Sequence, residues 1–313
     1  MTRGDNGRKQ ERGRTVTQTG RDTGRVGPEH ARAQAELRIF GEDLPTHILS
    51  QKVVDCGPGH RLFLAVPRGE APQAGWPVIY LLDGNAAFDF LTPEHLALVP
   101  GLMLVGVGYD IDRQFARERR TLDFTAPDGP GDGIRPDPVH PGRMAGGAAQ
   151  FLDRLTGPLR AAAEAGLPID PTRRTLWGHS FGGLFTLYAL LTQPGSFARF
   201  ASISPSIWWD DAQLLTAARR ADWQAARAAR VLLTVGSEEQ RVGPERPASV
   251  AGEEAAAVLG EAHMVDNASA FARLLGARGI ECRFQLFEGE GHGTVLPSAM
   301  AAAARFASGC HNG

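Results

Sequence analysis

The stretch TLWGHSFGG, at positions 175–183, decides the fold. It begins as an apolar run typical of a buried strand, passes through a G-x-S-x-G pattern centred on Ser180, and continues into a helix-favouring run. In a strand-turn-helix of this kind the serine sits in a strained turn, which nearby glycines, here Gly178 and Gly182, make possible. The stretch therefore predicts a nucleophile elbow that exposes the Ser180 hydroxyl.

The letters of the pattern do not establish catalysis, because a glycine-rich helix start without chemistry has the same pattern. The flanking strand and helix favour the catalytic interpretation. A helix that begins near Phe181 directs its first amides toward developing negative charge, so we expect the Phe181 amide in an oxyanion hole. These features predict acyl transfer at the elbow.

The second oxyanion donor is expected in the turn after an early central strand, where positions 81–86 read LLDGNA. We assign this role to the backbone amide of Asn85. Gly84 is expected to let the chain approach the substrate closely, and Asp83 to hydrogen-bond the turn through its side chain.

The serine needs a general base, which in this fold follows the last strand of the sheet. His292 lies there in a glycine-flanked loop and is the expected base for Ser180. His179 belongs to the elbow and is expected to pack or support. The other histidines, His140 among them, are interpreted as lone surface residues.

An orienting carboxylate is expected between serine and histidine in chain order. The loop that follows the apolar run 231–235 reads GSEE, and Glu239 is the expected acid, with Glu238 as the alternative. Either one can also be a solvated loop residue. In that case Ser180 and His292 work as a dyad.

The alternation of short apolar runs with helical patterns predicts an α/β fold with a mostly parallel central sheet flanked by helices. The predicted buried strands are Val78–Leu82, Leu102–Val107, Thr175–Trp177, Phe200–Ile203, Val231–Val235 and Cys282–Phe287. The predicted helices are Gly147–Ala165, Phe181–Leu191, Asp210–Arg219, Met264–Ala277 and Pro297–Phe306. Together with the elbow, this order resembles that of an α/β hydrolase, which is the fold that we expect.

Antiparallel strands are predicted ahead of this unit, from alternating segments at Leu37–Phe40, His47–Asp55 and Arg61–Val66. Residues 1–30 carry almost nothing apolar and are interpreted as a disordered tail, which leaves residues 31–313 as one catalytic domain. Two stretches, 110–146 and 237–261, are expected to be irregular loops.

Composition excludes several classes of protein. The 313 residues carry a net charge of −2, which disfavours nucleic-acid and membrane-surface binding, and no run is long enough to span a membrane. The chain lacks the apolar core of a signal peptide, so a cytoplasmic location is expected. Three sparse cysteines predict free thiols with no metal or other cofactor, and the oligomeric state stays open.

Several segments together resemble the ferric siderophore esterases of the enterobactin and salmochelin type, a group of α/β hydrolases. The resemblance spans about residues 35–306 and is carried by YLLDGNAAF at 80–88, GY at 108–109, RTLDFT at 120–125, the elbow at 178–183 and SPSIWW at 204–209. It implies that the chain hydrolyses ester bonds of a catecholate trilactone siderophore, and that any iron arrives with the substrate.

The resemblance also implies residue roles. Its serine and histidine fall on Ser180 and His292, and its arginine falls on Arg120, where a fixed guanidinium suits an anionic catecholate complex. Trp208 and Trp209 follow a strand at the mouth of the site, as substrate contacts or as buried rings. A general carboxylesterase that acts on an aromatic acyl ester or a thioester has the same apparatus and stays the alternative.

Overall fold

The structure is a computed structural model that describes residues 1, 34–57, 59–128, 131–240 and 262–309. A central β-sheet forms its frame. The strands are β1 (His47–Val54), β2 (His60–Pro67), β3 (Trp76–Leu82), β4 (Met103–Tyr109), β5 (Arg135–Pro136), β6 (Met144–Ala145), β7 (Ile169–His179), β8 (Arg199–Ile203), β9 (Arg230–Gly236) and β10 (Glu281–Phe287). Eight of them form one sheet in the order β1-β2-β4-β3-β7-β8-β9-β10, and β5 and β6 form a separate hairpin.

Helices cover both faces of this sheet. They are α1 (Gly84–Asp89), α2 (Pro93–Ala97), α3 (Arg117–Phe124), α4 (Ala148–Arg154), α5 (Arg160–Glu164), α6 (Phe181–Thr192), α7 (Trp209–Arg220), α8 (Met264–Ala277) and α9 (Val295–Ser308). A π-helical turn, Leu155–Leu159, joins α4 to α5. One hydrophobic core packs α3 to α8 against the sheet, and a second core packs α1, α2 and α9 against the other face.

The predicted α/β hydrolase architecture is confirmed. Strand β2 pairs antiparallel with β1 on one side and with β4 on the other. All further neighbours in the sheet, in the order β4-β3-β7-β8-β9-β10, pair parallel. Every residue of β3 and of β4 is buried, because helices cover both faces, and this explains their continuous apolar runs. Parallel strands end at one common edge, where a site can form.

Two local predictions were wrong. Leu37–Phe40, predicted as a strand, lies at a 3-10 helix, Arg38–Gly41, which buries Ile39. The stretch 110–146, predicted as irregular, contains α3 and the hairpin of β5 and β6, whose few residues leave little periodic signal. The predicted tail, and the part of the second loop from 241 to 261, lie outside the described residues.

The ranges that the structure describes contain no helix long and apolar enough to cross a membrane. Cys56 and Cys282 are free thiols, and Cys310 lies outside those ranges. Burial raises the pKa of Cys282 to about 12, so this thiol is a poor nucleophile.

The elbow between β7 and α6 has the predicted geometry. Ser180 adopts φ 62° and ψ −119°, which a residue with a side chain rarely occupies. A Cβ at Gly178 would lie 2.1 Å from the carbonyl oxygen of Gly182, so position 178 excludes any side chain. A Cβ at Gly182 would lie 3.5 Å from its nearest neighbour, in Leu82, so packing does not require the second glycine.

We therefore predict opposite outcomes for two matched substitutions. Gly178→Ala should destabilise the fold by about 1–3 kcal/mol, because its methyl group would overlap the α6 backbone. Gly182→Ala should leave the melting temperature close to that of the unmodified protein. Thermal denaturation of both variants is the measurement, and equal melting temperatures would contradict the packing argument.

Candidate active site

A histidine and a carboxylate meet beside the elbow. His292, in the loop after β10, contacts the Oε2 atom of Glu239 through its Nδ1 atom at 2.6 Å. Glu239 follows β9 and its side chain is 1% exposed, whereas Glu238 is exposed. A carboxylate only accepts hydrogen bonds, so Nδ1–H donates and Nε2 of the neutral ring is left as a base.

The other oxygen of this carboxylate is also occupied. Glu239 Oε1 accepts hydrogen bonds from the Ser204 hydroxyl at 2.5 Å and from the Gly236 amide at 2.7 Å. Burial alone would raise the pKa of Glu239, but its bonds to His292, Ser204 and Gly236 and the charge attraction of His292 hold the pKa below its usual range. The acid therefore stays ionised and oriented toward the histidine.

His179, the last residue of β7, bonds to the loop that carries His292. Its Nε2–H donates to the carbonyl of His292 at 2.8 Å, and the two rings lie 4.5 Å apart. Burial and the nearby His292 lower the pKa of His179 well below its usual value. The ring therefore stays neutral, keeps its donor for the carbonyl and serves as a support.

The nucleophile hydroxyl points at a second serine. Ser180 Oγ lies 3.3 Å from Ser206 Oγ, and Ser206 is almost fully buried. Among the described residues, no hydrogen bond joins Ser180 to His292, its predicted base. Such bonds often form only when substrate is present.

The turn after β3 is shaped by packing on β4. A Cβ at Gly84 would lie 2.6 Å from the backbone of Gly106, so this glycine permits a close approach to β4, while its approach to substrate stays a prediction. The Asn85 side chain is buried and bonds to the backbone of Tyr109 and Ile111. Its amide stays a predicted oxyanion donor, as does that of Phe181, the first residue of α6.

Arg120 is committed to an internal ion pair. Its Nε and one terminal nitrogen each donate to the carboxylate of Asp83 at 2.9 Å, and both side chains are nearly buried, at 11% and 7% exposure. The guanidinium also lies 5.5 Å from the Phe181 ring centre. Its charge is matched by Asp83, and its contact with an anionic catecholate complex stays a prediction. Asp83 makes no side-chain cap of its turn, contrary to expectation.

The two tryptophans have different surroundings. Trp209 is 2% exposed and donates its Nε1–H to Asp137 at 3.0 Å, so it belongs to the core and the prediction of a substrate contact is wrong for it. Trp208 is half-buried, and its ring centre lies 6.3 Å from that of Phe181. Of the pair, Trp208 is the one that lies at the surface beside the elbow.

Sequence reasoning missed several of these contacts. Ser204 and Ser206 lie in a segment quoted only for its resemblance, so their bonds to Glu239 and Ser180 were not predicted. The pairing of Arg120 with Asp83 was not predicted either, because the two residues lie far apart in the chain.

Among the described residues no group of three or more His, Cys, Asp or Glu side chains is arranged to hold a metal ion.

Comparison with known proteins adds a family. The family model described as “Putative esterase” matches residues 59–295. The ferri-bacillibactin esterase BesA of Bacillus subtilis is 33% identical over 271 residues, which cover 79% of this chain and 84% of that protein. The apo-salmochelin esterase of Escherichia coli is 30% identical over 272 residues, which cover 82% of this chain and 80% of that protein.

A solved structure has the same fold. The siderophore hydrolase EstA from Aspergillus nidulans superimposes with a TM-score of 0.67 at 28% identity, covering 85% of this chain and 95% of that chain. The resemblance stated from the motifs is confirmed by these matches.

The geometry of Glu239 yields a test of triad against dyad. Glu239→Gln should lower kcat for p-nitrophenyl acetate about 10³- to 10⁴-fold, because the amide no longer fixes the tautomer of His292. Glu238→Gln is the matched control, since this neighbour is exposed, and should keep the unmodified rate. Similar rates for both variants would indicate a dyad.

The Arg120 pair yields a second test. Arg120→Lys and Asp83→Asn should each lower kcat for the neutral ester p-nitrophenyl acetate about tenfold with little change in KM, because the turn that carries the expected oxyanion donor is no longer fixed. Arg220→Lys, at an exposed position, is the control. Loss confined to anionic substrates would instead support the ligand-contact role.

Proposed function

The chain belongs to the “Putative esterase” family, and we propose that it is a serine esterase that hydrolyses ester bonds of a siderophore. The observation that carries this proposal is the 2.6 Å contact between His292 and the buried Glu239, at the sheet edge where the Ser180 elbow also lies. A histidine fixed by an ionised carboxylate is the base that a serine nucleophile needs.

The chemistry begins with an attack of Ser180 Oγ on the ester carbonyl carbon while its proton passes to Nε2 of His292. Glu239 stabilises the imidazolium that forms. The amides of Phe181 and Asn85 donate to the developing oxyanion. As the ester bond breaks, His292 returns the proton to the leaving alkoxide, and the acyl group stays on Ser180.

Water completes the cycle. His292 takes a proton from a water molecule, the hydroxide attacks the acyl carbon, and the second tetrahedral intermediate collapses to the free acid. Ser180 recovers its proton from His292. The products are a carboxylic acid and an alcohol, and the steps need no group beyond these side chains and amides.

The substrate class rests on relatives. The two curated relatives compared above are named for siderophore esters, one iron-loaded and one iron-free, and the solved neighbour is named a siderophore hydrolase. We infer a catecholate trilactone or its linear fragments as the substrate, with iron, where present, as part of it. The cytoplasmic location stays a prediction, to be tested by cell fractionation.

The nucleophile has a direct test. Ser180→Ala should lower the ester-hydrolysing activity at least about 10⁴-fold, because it removes the hydroxyl that attacks the ester. Circular dichroism should show an unchanged fold. Ser269→Ala, in helix α8, is the control and should keep full activity, because the Ser269 hydroxyl bonds only to Arg273 of the same helix among the described residues. Retained turnover in Ser180→Ala would reject the assignment.

The substrate is tested in the same assay with mass spectrometry of the products. The panel contains an enterobactin-type trilactone with and without iron(III), a hydroxamate siderophore ester and p-nitrophenyl esters. Cleavage of a siderophore with a higher kcat/KM than the p-nitrophenyl esters supports the proposal. Cleavage of the p-nitrophenyl esters alone would favour a general carboxylesterase.

A further inference from the structure

A second histidine–carboxylate pair lies in the hairpin of β5 and β6. His140 Nδ1 lies 2.6 Å from Asp137 Oδ2, and the Asp137 side chain is fully buried. The hydrogen bonds from His140, from the Val139 amide and from the Trp209 indole hold the pKa of this carboxyl below its usual value, although burial alone would raise it. The mechanism above uses neither residue.

Hydrogen bonds within the hairpin, and contacts from the hairpin to α7, fix its position. The Asp137 amide donates to the carbonyl of Arg143 at 2.9 Å, and the Arg143 amide donates to the carbonyl of His140 at 3.2 Å. The indole of the buried Trp209 donates to Asp137 Oδ1 at 3.0 Å, and Arg135 of β5 pairs with Asp210 of α7. Because Asp137 is held in place and bonds to Nδ1 of His140, it orients the His140 ring.

His140 lies beside Phe181, the residue that follows the predicted nucleophile in the chain. Its ring meets the ring of Phe181 edge-on with 5.7 Å between the centres, and Phe181 directly follows Ser180. Trp208 lies against the same phenylalanine. His140 is 27% exposed, so together with Trp208 it forms an accessible wall next to the elbow.

The bond to Asp137 also determines which ring nitrogen of His140 is left to accept a hydrogen bond from a ligand. A carboxylate accepts, so Nδ1–H donates to it, and in the neutral ring Nε2 keeps its lone pair. A group with an O–H or N–H can donate to that lone pair. A phenol ring meets this need, since it can stack on Trp208 and donate its hydroxyl. A phenolate bound to iron(III) has lost the proton and cannot donate.

We propose that His140 determines substrate specificity: its Nε2 accepts a hydrogen bond from a hydroxyl on an aromatic ring of the substrate and thereby favours the iron-free form over the iron-bound form. The inference rests on the proposed function, because it specifies which state of a catecholate siderophore the site accepts. His140, interpreted from sequence as a lone surface residue, becomes part of the site.

Two matched substrates test this proposal. They are the methyl esters of N-(2,3-dihydroxybenzoyl)serine and of N-benzoylserine, which differ only in the ring hydroxyls. The unmodified protein should show the higher kcat/KM for the hydroxylated ester. His140→Phe, which keeps a ring against Phe181 but has no acceptor, should lower that preference about three- to tenfold, the range of one neutral hydrogen bond.

Two further variants control the result. His140→Gln keeps a side-chain acceptor and should retain more of the preference than His140→Phe. Met144→Phe adds the same ring at an exposed position of the same hairpin and should keep the original preference. With the trilactone itself, His140→Phe should reduce hydrolysis of the iron-free form and spare the ferric complex.

The outcomes separate the two proposals. A preference unchanged in His140→Phe, or equal losses on both serine esters, would overturn the role of His140 and leave the siderophore proposal standing. Failure of the unmodified protein to cleave the trilactone and both serine esters, with p-nitrophenyl acetate still cleaved, would overturn both.

Discussion

Ser180 holds a backbone conformation, φ 62° and ψ −119°, that costs on the order of 1–3 kcal/mol for a residue with a side chain. Three backbone hydrogen bonds maintain it. The Ser180 amide donates to Ile203, and the Ser180 carbonyl accepts from the amides of Leu184 and Ser206. Strand β8, helix α6 and the loop after β8 are thus all tied to this one residue, and the site is built around it.

The ends of three adjacent parallel strands carry Ser180 and two further residues of the site. Ser180 follows β7, Ser204 follows β8 and Glu239 follows β9, and these strands are neighbours in the sheet. Residues far apart in the chain therefore lie within hydrogen-bonding distance, and Glu239 has each oxygen assigned, one to Ser204 and Gly236 and one to His292. A buried carboxylate in this arrangement is fully partnered, which is what permits its burial.

The sequence predicts most where the arrangement of residues follows from chain order. Strand, elbow, acid and histidine succeed one another in a fixed order, so Ser180, Glu239 and His292 could be chosen before their contacts were known. Contacts between segments without a shared period could not be predicted. Arg120 and Asp83 are 37 residues apart, and neither local pattern names the other as partner. The resemblance suggested a ligand contact for Arg120, and the structure adds a nearly buried ion pair with Asp83 that no local pattern predicted.

The structure contains two histidine–carboxylate pairs, and their supports differ. Glu239 follows β9, which lies between β8 and β10, and is anchored by Ser204, so His292 has the fixed placement that its predicted proton transfer requires. His140 lies in a hairpin, the kind of connection that varies in proteins without disturbing the sheet. A recognition residue on such a hairpin can change substrate choice while the catalytic edge stays intact. Under the role proposed for His140, the catalytic carboxylate is therefore anchored at the end of a sheet strand, and the recognition carboxylate in a hairpin.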